Sequence, residues 1–223
     1  MSVNRAVVVA VIGATGSRKS IWIKSLLAAR NPARLLVWSP YEKTDRYRRF
    51  GTLIEKNPSR LVELATKARH AGEFQIVYWP DRSDPRRLVR QFELFCGVAI
   101  ALGRCVVVAE ELSLVTKAGS SPPRWQEVIT GGRHEGLEVV GTSQRPALVD
   151  KTFFANATVI RCGRLNARGD KEVMADALDV PIEQVRALQD GQFIVREHGG
   201  AAHVETVDLP KRRQRPEGRT DES

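Results

Sequence analysis

The residues best placed by type and spacing to do chemistry lie near the start of the chain, in Gly13-Ala14-Thr15-Gly16-Ser17-Arg18-Lys19-Ser20. An apolar run, Ala6 to Ile12, leads into them, and an apolar-periodic stretch with Ile21, Trp22, Leu26 and Leu27 follows. The octet matches GxxxxGK[ST] except that Arg18 stands where the pattern has its second glycine. A strand that feeds such a loop into a helix start aims backbone N–H groups and the positive helix end at one point, where a triphosphate fits. All eight residues are therefore expected to cradle ATP. Lys19, expected to stand exposed in the loop, would reach the β- and γ-phosphates, and the Ser20 hydroxyl would hold Mg²⁺. The plainer alternative is a glycine turn that merely joins strand to helix.

Arg18 has two possible consequences. If its backbone is helical the side chain is tolerated and its guanidinium could touch a phosphate or crowd the site; if φ is positive, the side chain costs energy. An added charge contact is worth about 1 kcal/mol and a strained φ costs on the order of 1–3 kcal/mol. Sterics are expected to dominate, so Arg18→Gly is expected to bind ATP more tightly and hydrolyse it faster.

Two further tips complete a candidate site. Val106-Val107-Val108-Ala109-Glu110-Glu111 is an apolar strand ending in two carboxylates. Near a phosphate loop, Glu110 would support Mg²⁺ and its waters, and Glu111 would polarise the attacking water as general base. A strand that simply turns polar at the surface would look the same. Leu137-Glu138-Val139-Val140-Gly141-Thr142-Ser143-Gln144 is another apolar strand with a polar tip. If it lies between the other two, Gln144 faces the γ-phosphate, and its carboxamide offers both a donor and an acceptor for positioning water.

Positioning these tips requires a mostly parallel sheet, and the chain alternates short apolar runs with helical stretches as such a sheet does. Strands are expected at Ala6–Ile12, Leu35–Ser39, Phe74–Trp79, Cys105–Glu110, Leu137–Ser143 and Thr158–Cys162, with a late hairpin, Gln192–Arg196 and Ala202–Val207, turning at Gly199-Gly200. Helices are expected at Lys19–Ala29, Ser59–His70, Pro85–Leu102, Arg124–Thr130, Asp170–Leu178 and Pro181–Leu188, with Asp84 capping the third. The expectation is one α/β domain over residues 1–209 and a basic, disordered tail over residues 210–223, where Lys211, Arg212, Arg213, Arg215 and Arg219 face three acids.

Composition bounds the rest. The 223 residues are 42% hydrophobic and 27% charged, enough for a core, and contain no apolar run of the length a membrane span needs. Met1 to Ala6 lacks a secretory signal, which points to the cytoplasm. Cys96, Cys105 and Cys162 have neither metal-ligand spacing nor an even count, so they read as core residues. The net charge is +9, with clusters at Arg30, Arg34, Lys43, Arg46, Arg48 and Arg49 and at Arg82, Arg86, Arg87 and Arg90 that suit either a polyanion or ordinary counter-ions.

The segments GATGSRKS, VVVAEEL and GGRHEGLEVVGTSQRPALVDKTFFANATVIRCGRL together resemble the HerA and FtsK superfamily of motor ATPases over Ala6 to Arg164. The compact size is most similar to the genome-packaging ATPases of tailless phages with an internal membrane and to Zot-like proteins. The resemblance implies a RecA-like P-loop NTPase core with an additional strand between the two nucleotide strands, a homo-oligomeric ring, usually a hexamer, and ATP-driven, sequence-independent movement of DNA. It also implies a protein of the host cytoplasm or the virion, with capsid or membrane-vertex proteins as further partners. Lys19 and Ser20 match its phosphate-loop pair, Glu110 and Glu111 its acidic pair, and Gln144 its polar sensor; Arg18 and Glu110 depart from it. A neighbouring subunit would supply an arginine, for which Arg133, ahead of Arg124 and Arg145, is the candidate. The alternative is a Zot-like assembly or secretion protein with weak or absent hydrolysis. A small nucleotide kinase fits poorly, for lack of a lid and an acceptor region.

Overall fold

The computed structural model describes residues 7–197 and 199–207. Its strands are β1 (Val7–Ile12), β2 (Arg34–Trp38), β3 (Thr52–Glu55), β4 (Phe74–Trp79), β5 (Val106–Ala109), β6 (Glu138–Ser143), β7 (Val159–Gly163), β8 (Gln192–Glu197) and β9 (His203–Thr206). They form one sheet in the order β3-β4-β2-β5-β6-β1-β7-β8-β9. All pairings are parallel except β7 with β8 and β8 with β9. This is the expected α/β, P-loop NTPase architecture, and β6 is the additional strand, wedged between β1 and β5 with Ile12 opposite Ser143 and Ala109 opposite Gly141.

The central strands are apolar on both sides because both sides are covered, as parallel sheets require. Val9 and Val11 of β1 face α1 (Lys19–Arg30), packing with its Ile23 and Leu27. Val8, Ala10 and Ile12 face the larger core, with Trp38, Phe92, Phe95, Trp125 and Phe153. That core is closed by the helices α3 (Pro58–Ala68), α4 (Pro85–Leu102), α5 (Pro123–Gly131), α6 (Lys151–Asn156), α7 (Arg168–Leu178) and α8 (Ile182–Ala187). Helix α4 starts as expected: Pro85 takes the first position and the Asp84 carboxylate accepts from the Arg86 N–H at 2.8 Å. Helix α3 begins at Pro58, because the Asn57 side chain accepts from the Arg60 N–H.

Two kinds of element were not anticipated. β3 at the sheet edge buries only Ile54, so its residues carry no apolar run, and pairing with β4 supplies what its sequence lacks. The short α2 (Glu42–Asp45), the turn Tyr47–Phe50 and α6 are held by tertiary contacts rather than by local pattern. The three cysteines are buried, as expected; burial pushes the Cys105 thiol up to about 12 and the other two upward as well. Among the described residues no helix is long and apolar enough to cross a membrane. Ala6 and the tail assigned to residues 210–223 lie outside the described residues.

Candidate active site

The C-terminal ends of β1, β6 and β5 meet at one edge of the sheet, and a cleft of about 390 Å³ opens there. Its walls are Ala14, Thr15, Gly16, Arg18, Lys19 and Ser20 from the loop after β1, Glu110 and Glu111 from the tip of β5, and Gln144 from the tip of β6. Six of the eight loop residues thus line it. Gly13 and Ser17 form the underside instead: a Cβ on Gly13 would fall 2.4 Å from Ser17 Oγ, so only glycine lets Ser17 fold beneath the loop. The Ser17 hydroxyl is buried there without a hydrogen-bond partner, so any part Ser17 takes in cradling a ligand would fall to its backbone N–H.

Lys19 also differs from expectation. It is buried, not exposed, and its Nζ donates to the Gly13 carbonyl at 2.7 Å, folded back over its own loop. Burial lowers its pKa, opposed by the charges of Glu111 and then Glu110. Ser20 is half-buried at the mouth of α1.

Arg18 has φ 72° and ψ 18°, the left-handed conformation that a glycine adopts without strain. Its guanidinium donates to the Val207 carbonyl at 3.2 Å, while the residue also lines the cleft. Of the two backbone alternatives open from the sequence, the structure takes the positive φ, in which a side chain costs energy.

The acidic tip is held by neutral partners. Glu110 is fully buried, and its two oxygens accept from the hydroxyls of Tyr47 and Thr142. Burial raises its pKa, which the two hydroxyl hydrogen bonds and the Lys19 charge oppose. Glu111 turns sharply, with φ 55° and ψ 58°, and its N–H donates to Thr142 Oγ1 at 3.1 Å. Its carboxylate accepts from the Gln144 carboxamide at 2.8 Å and the Gln144 backbone N–H at 3.3 Å. The side-chain oxygen of Gln144, Oε1, in turn accepts from Thr15 Oγ1 at 2.6 Å. One chain of hydrogen bonds therefore runs from the phosphate loop through Gln144 to Glu111, across the inserted strand.

Three contributors were not foreseen. Tyr47 and Asp45 arrive from the α2 turn after β2, and Thr142 precedes the Gln144 tip by two positions. Asp45 lines the cleft, and burial, with the charge of Glu110 second, raises its carboxyl to about 7. Only alternation could have marked Thr142: it sits in β6, two residues before Gln144, which follows the strand's end. Nothing local marks Tyr47.

The arginines considered for a neighbouring site lie apart. Arg145 is fixed by the buried Asp170 at 2.8 Å, and Arg124 pairs with Glu127 on α5. Arg133 precedes β6, at the opposite edge of the sheet from Gln144; the six residues of β6 at about 3.3 Å each put roughly 20 Å between them. It does not join the cleft of its own chain. In the basic clusters, Arg30 pairs with Glu138 at 2.6 Å, Arg87 with Asp81 at 3.0 Å, and Arg34 caps the carbonyls of Ala71, Leu102 and Gly103. Arg30 and Arg87 keep about half of their side chains exposed despite these pairs.

The donor set also suits a divalent cation shared with phosphates. Ser20 and Glu110 both line the cleft, and among the described residues no group of three His, Cys, Asp or Glu could form an all-protein cage.

No protein-family model matches the chain. Protein P9 of Pseudoalteromonas phage PM2 is a sequence relative, 27% identical over 189 residues that cover 81% of this chain and 78% of that protein. The genome packaging NTPase B204 from Sulfolobus turreted icosahedral virus 2, solved with AMP, superposes with a TM-score of 0.68 at 17% identity, over 92% of this chain and 98% of that one. The pCW3 conjugation coupling protein TcpA, solved with ATPγS, superposes with a TM-score of 0.56 at 19% identity, over 92% of this chain and 61% of that one. These likenesses show the P-loop NTPase fold that the resemblance implied.

Proposed function

We propose that the chain is an ATPase that drives DNA translocation in the packaging of a viral genome. The observation that carries this is the hydrogen-bond chain Thr15–Gln144–Glu111, which links the loop suited to a triphosphate with the carboxylate suited to activate water. Glu111 takes a proton from water, the resulting hydroxide attacks the γ-phosphorus, and the bond from that phosphorus to the β-phosphate oxygen breaks, releasing ADP and phosphate. Gln144 orients the Glu111 carboxylate and, through Thr15, registers the loop. Lys19 would exchange the Gly13 carbonyl for phosphate oxygens and offset charge that builds there. Ser20 and Glu110 would hold Mg²⁺, which supplies charge neutralisation at the β- and γ-oxygens.

In this reading the protein works as a homo-oligomeric ring, a hexamer by resemblance, in the host cytoplasm or on the virion beside capsid or membrane-vertex proteins, and Arg133 serves a neighbour's cleft rather than its own. The likeness to P9 of a phage and to a viral packaging NTPase supports the packaging role. DNA contacts should fall on phosphates, because a translocase meets every sequence.

ATP hydrolysis measured with and without double-stranded DNA, over a salt series, tests the proposal. Turnover stimulated by DNA of any sequence, with affinity falling steeply as salt rises, is expected. A folded sample that binds nucleotide but shows no turnover with or without DNA would overturn it and favour the Zot-like, non-hydrolysing alternative.

A further inference from the structure

We propose that the Asp190–Gly191 turn, where the C-terminal hairpin begins, braces the phosphate loop, and that Arg18 and Arg164 are positioning residues that act through it. This rests on reading the cleft as the nucleotide site.

The loop is tied to this turn at both ends. At its far end the Arg18 carbonyl already accepts from the Ile21 and Trp22 N–H groups, so its backbone is fixed as the start of α1. The side chain then leaves the loop and donates to the Val207 carbonyl. Gly191, at φ 87°, lies flat against it: a Cβ there would fall 2.5 Å from Arg18 Nη1 and 3.0 Å from Cζ. The Val207 N–H donates to the Gly191 carbonyl at 2.8 Å, a cross-strand bond that joins both surfaces receiving the guanidinium at the open end of the hairpin. At the near end, Arg164 pairs with Asp190 at 2.6 Å while its Nη2 reaches the Thr15 carbonyl at 3.5 Å. The Arg164 carbonyl accepts from the Ala14 N–H at 2.8 Å. Loop residues 14, 15 and 18 thus all lead to the open end of the hairpin, where the Asp190–Gly191 turn is bonded to Val207.

That turn is itself anchored. Arg161 of β7, buried, lies over the Trp22 ring of α1 at 4.3 Å and pairs with Glu205 of β9 at 2.7 Å. Hairpin, sheet and α1 therefore form one packed unit, and the arginine struts carry its rigidity to the loop.

A phosphate loop binds well when its amides are aimed before the ligand arrives, because the ordering entropy is then not lost on binding. A glycine before the lysine tolerates the left-handed turn but leaves it free. Arg18 accepts the strained φ and gains a tether. The expectation from sequence, that Arg18→Gly improves the site, is reversed: relief of strain favours the folded chain, while loss of the tether weakens nucleotide binding.

The test uses the full chain as wild type, Arg18→Gly, Arg18→Met, Arg18→Lys and Asp190→Asn, with Lys19→Ala as control. A fluorescent ATP analogue gives Kd, steady-state hydrolysis gives KM and kcat, and melting without nucleotide reports the fold. Arg18→Gly and Arg18→Met should each raise Kd and KM about tenfold, with a much smaller fall in kcat. Arg18→Lys, which can still donate to Val207, should fall between, and Asp190→Asn should raise Kd about threefold. Arg18→Gly should melt no lower than wild type. Affinity equal to or tighter than wild type in Arg18→Gly and Arg18→Met, with Lys19→Ala still abolishing binding, would overturn the brace alone. Normal binding by Lys19→Ala would overturn the nucleotide site on which the brace depends.

Discussion

The two walls of the cleft bear opposite charge and are anchored in the same way. On the loop side, Lys19 donates to the Gly13 carbonyl and Lys24 to the backbone carbonyl of Asp45. On the strand-tip side, Glu110 accepts from two hydroxyls and Glu111 from a carboxamide and a backbone N–H. Among the described residues no ion pair joins these two lysines to Glu110 or Glu111, although Lys19 feels both charges. Each wall is held by neutral dipoles, so neither has to break a salt bridge to receive a ligand. In the proposed function, a nucleotide phosphate chain with a divalent cation would use both walls, the lysines for its anionic charge and the acids for the cation.

Glu111→Gln breaks the comparison most severely. The amide keeps the size and the contact with Gln144 but removes the base, so kcat should fall by about 10²–10⁴-fold with nucleotide affinity retained. Single-turnover hydrolysis beside equilibrium binding separates the two. An equal loss of both would place Glu111 among the groups that hold the ligand.

Thr142→Val sharpens it at the next level. The Thr142 hydroxyl donates to Glu110 and accepts from the Glu111 N–H, and the side chain is fully buried. Valine preserves the shape and leaves both partners unpaired in the interior, at a cost of about 1–3 kcal/mol. Urea unfolding reads this directly. A shift under about 0.5 kcal/mol, the scale of an uneventful surface change, would mean that the acidic wall does not depend on its hydroxyl partners.

The same contrast explains what could be read from sequence. The loop, the acidic pair and Gln144 announce themselves because each ends an apolar strand, and a parallel sheet must bring such ends to one edge. The hairpin was legible as a hairpin from its alternation and the glycines at 199–200. Its bearing on the loop was not, because the contact of Arg18 with Val207 spans 189 positions and uses a backbone carbonyl, which has no residue signature. Tyr47 lies in a short turn with no periodicity, and only the crossover from β2 delivers it to Glu110. Lys19 looked exposed because the motif shows what the lysine can reach and not where it folds back.

Asp45 marks where the walls meet unevenly and gives the smallest effect. It sits on the loop side, its backbone carbonyl holds Lys24, and its carboxyl, raised to about 7 by burial and then by Glu110, adds a third acid to the cleft. The folded chain therefore binds this proton more tightly than the unfolded chain, whose aspartate titrates near the ordinary 3.8. Between these values the folded state holds more protons, so stability falls as pH rises through the window and levels off above pH 7. Asparagine cannot ionise. Asp45→Asn should match wild type near pH 4 and exceed it above pH 7, by about 1 kcal/mol once solvent screening of this partly exposed group is allowed for. Urea midpoints of both proteins at pH 4.5, 6 and 8 measure the difference. A gap that stays constant across the series would show that Asp45 ionises as freely in the fold as in the open chain, and that the acidic charge of the cleft rests on Glu110 and Glu111 alone.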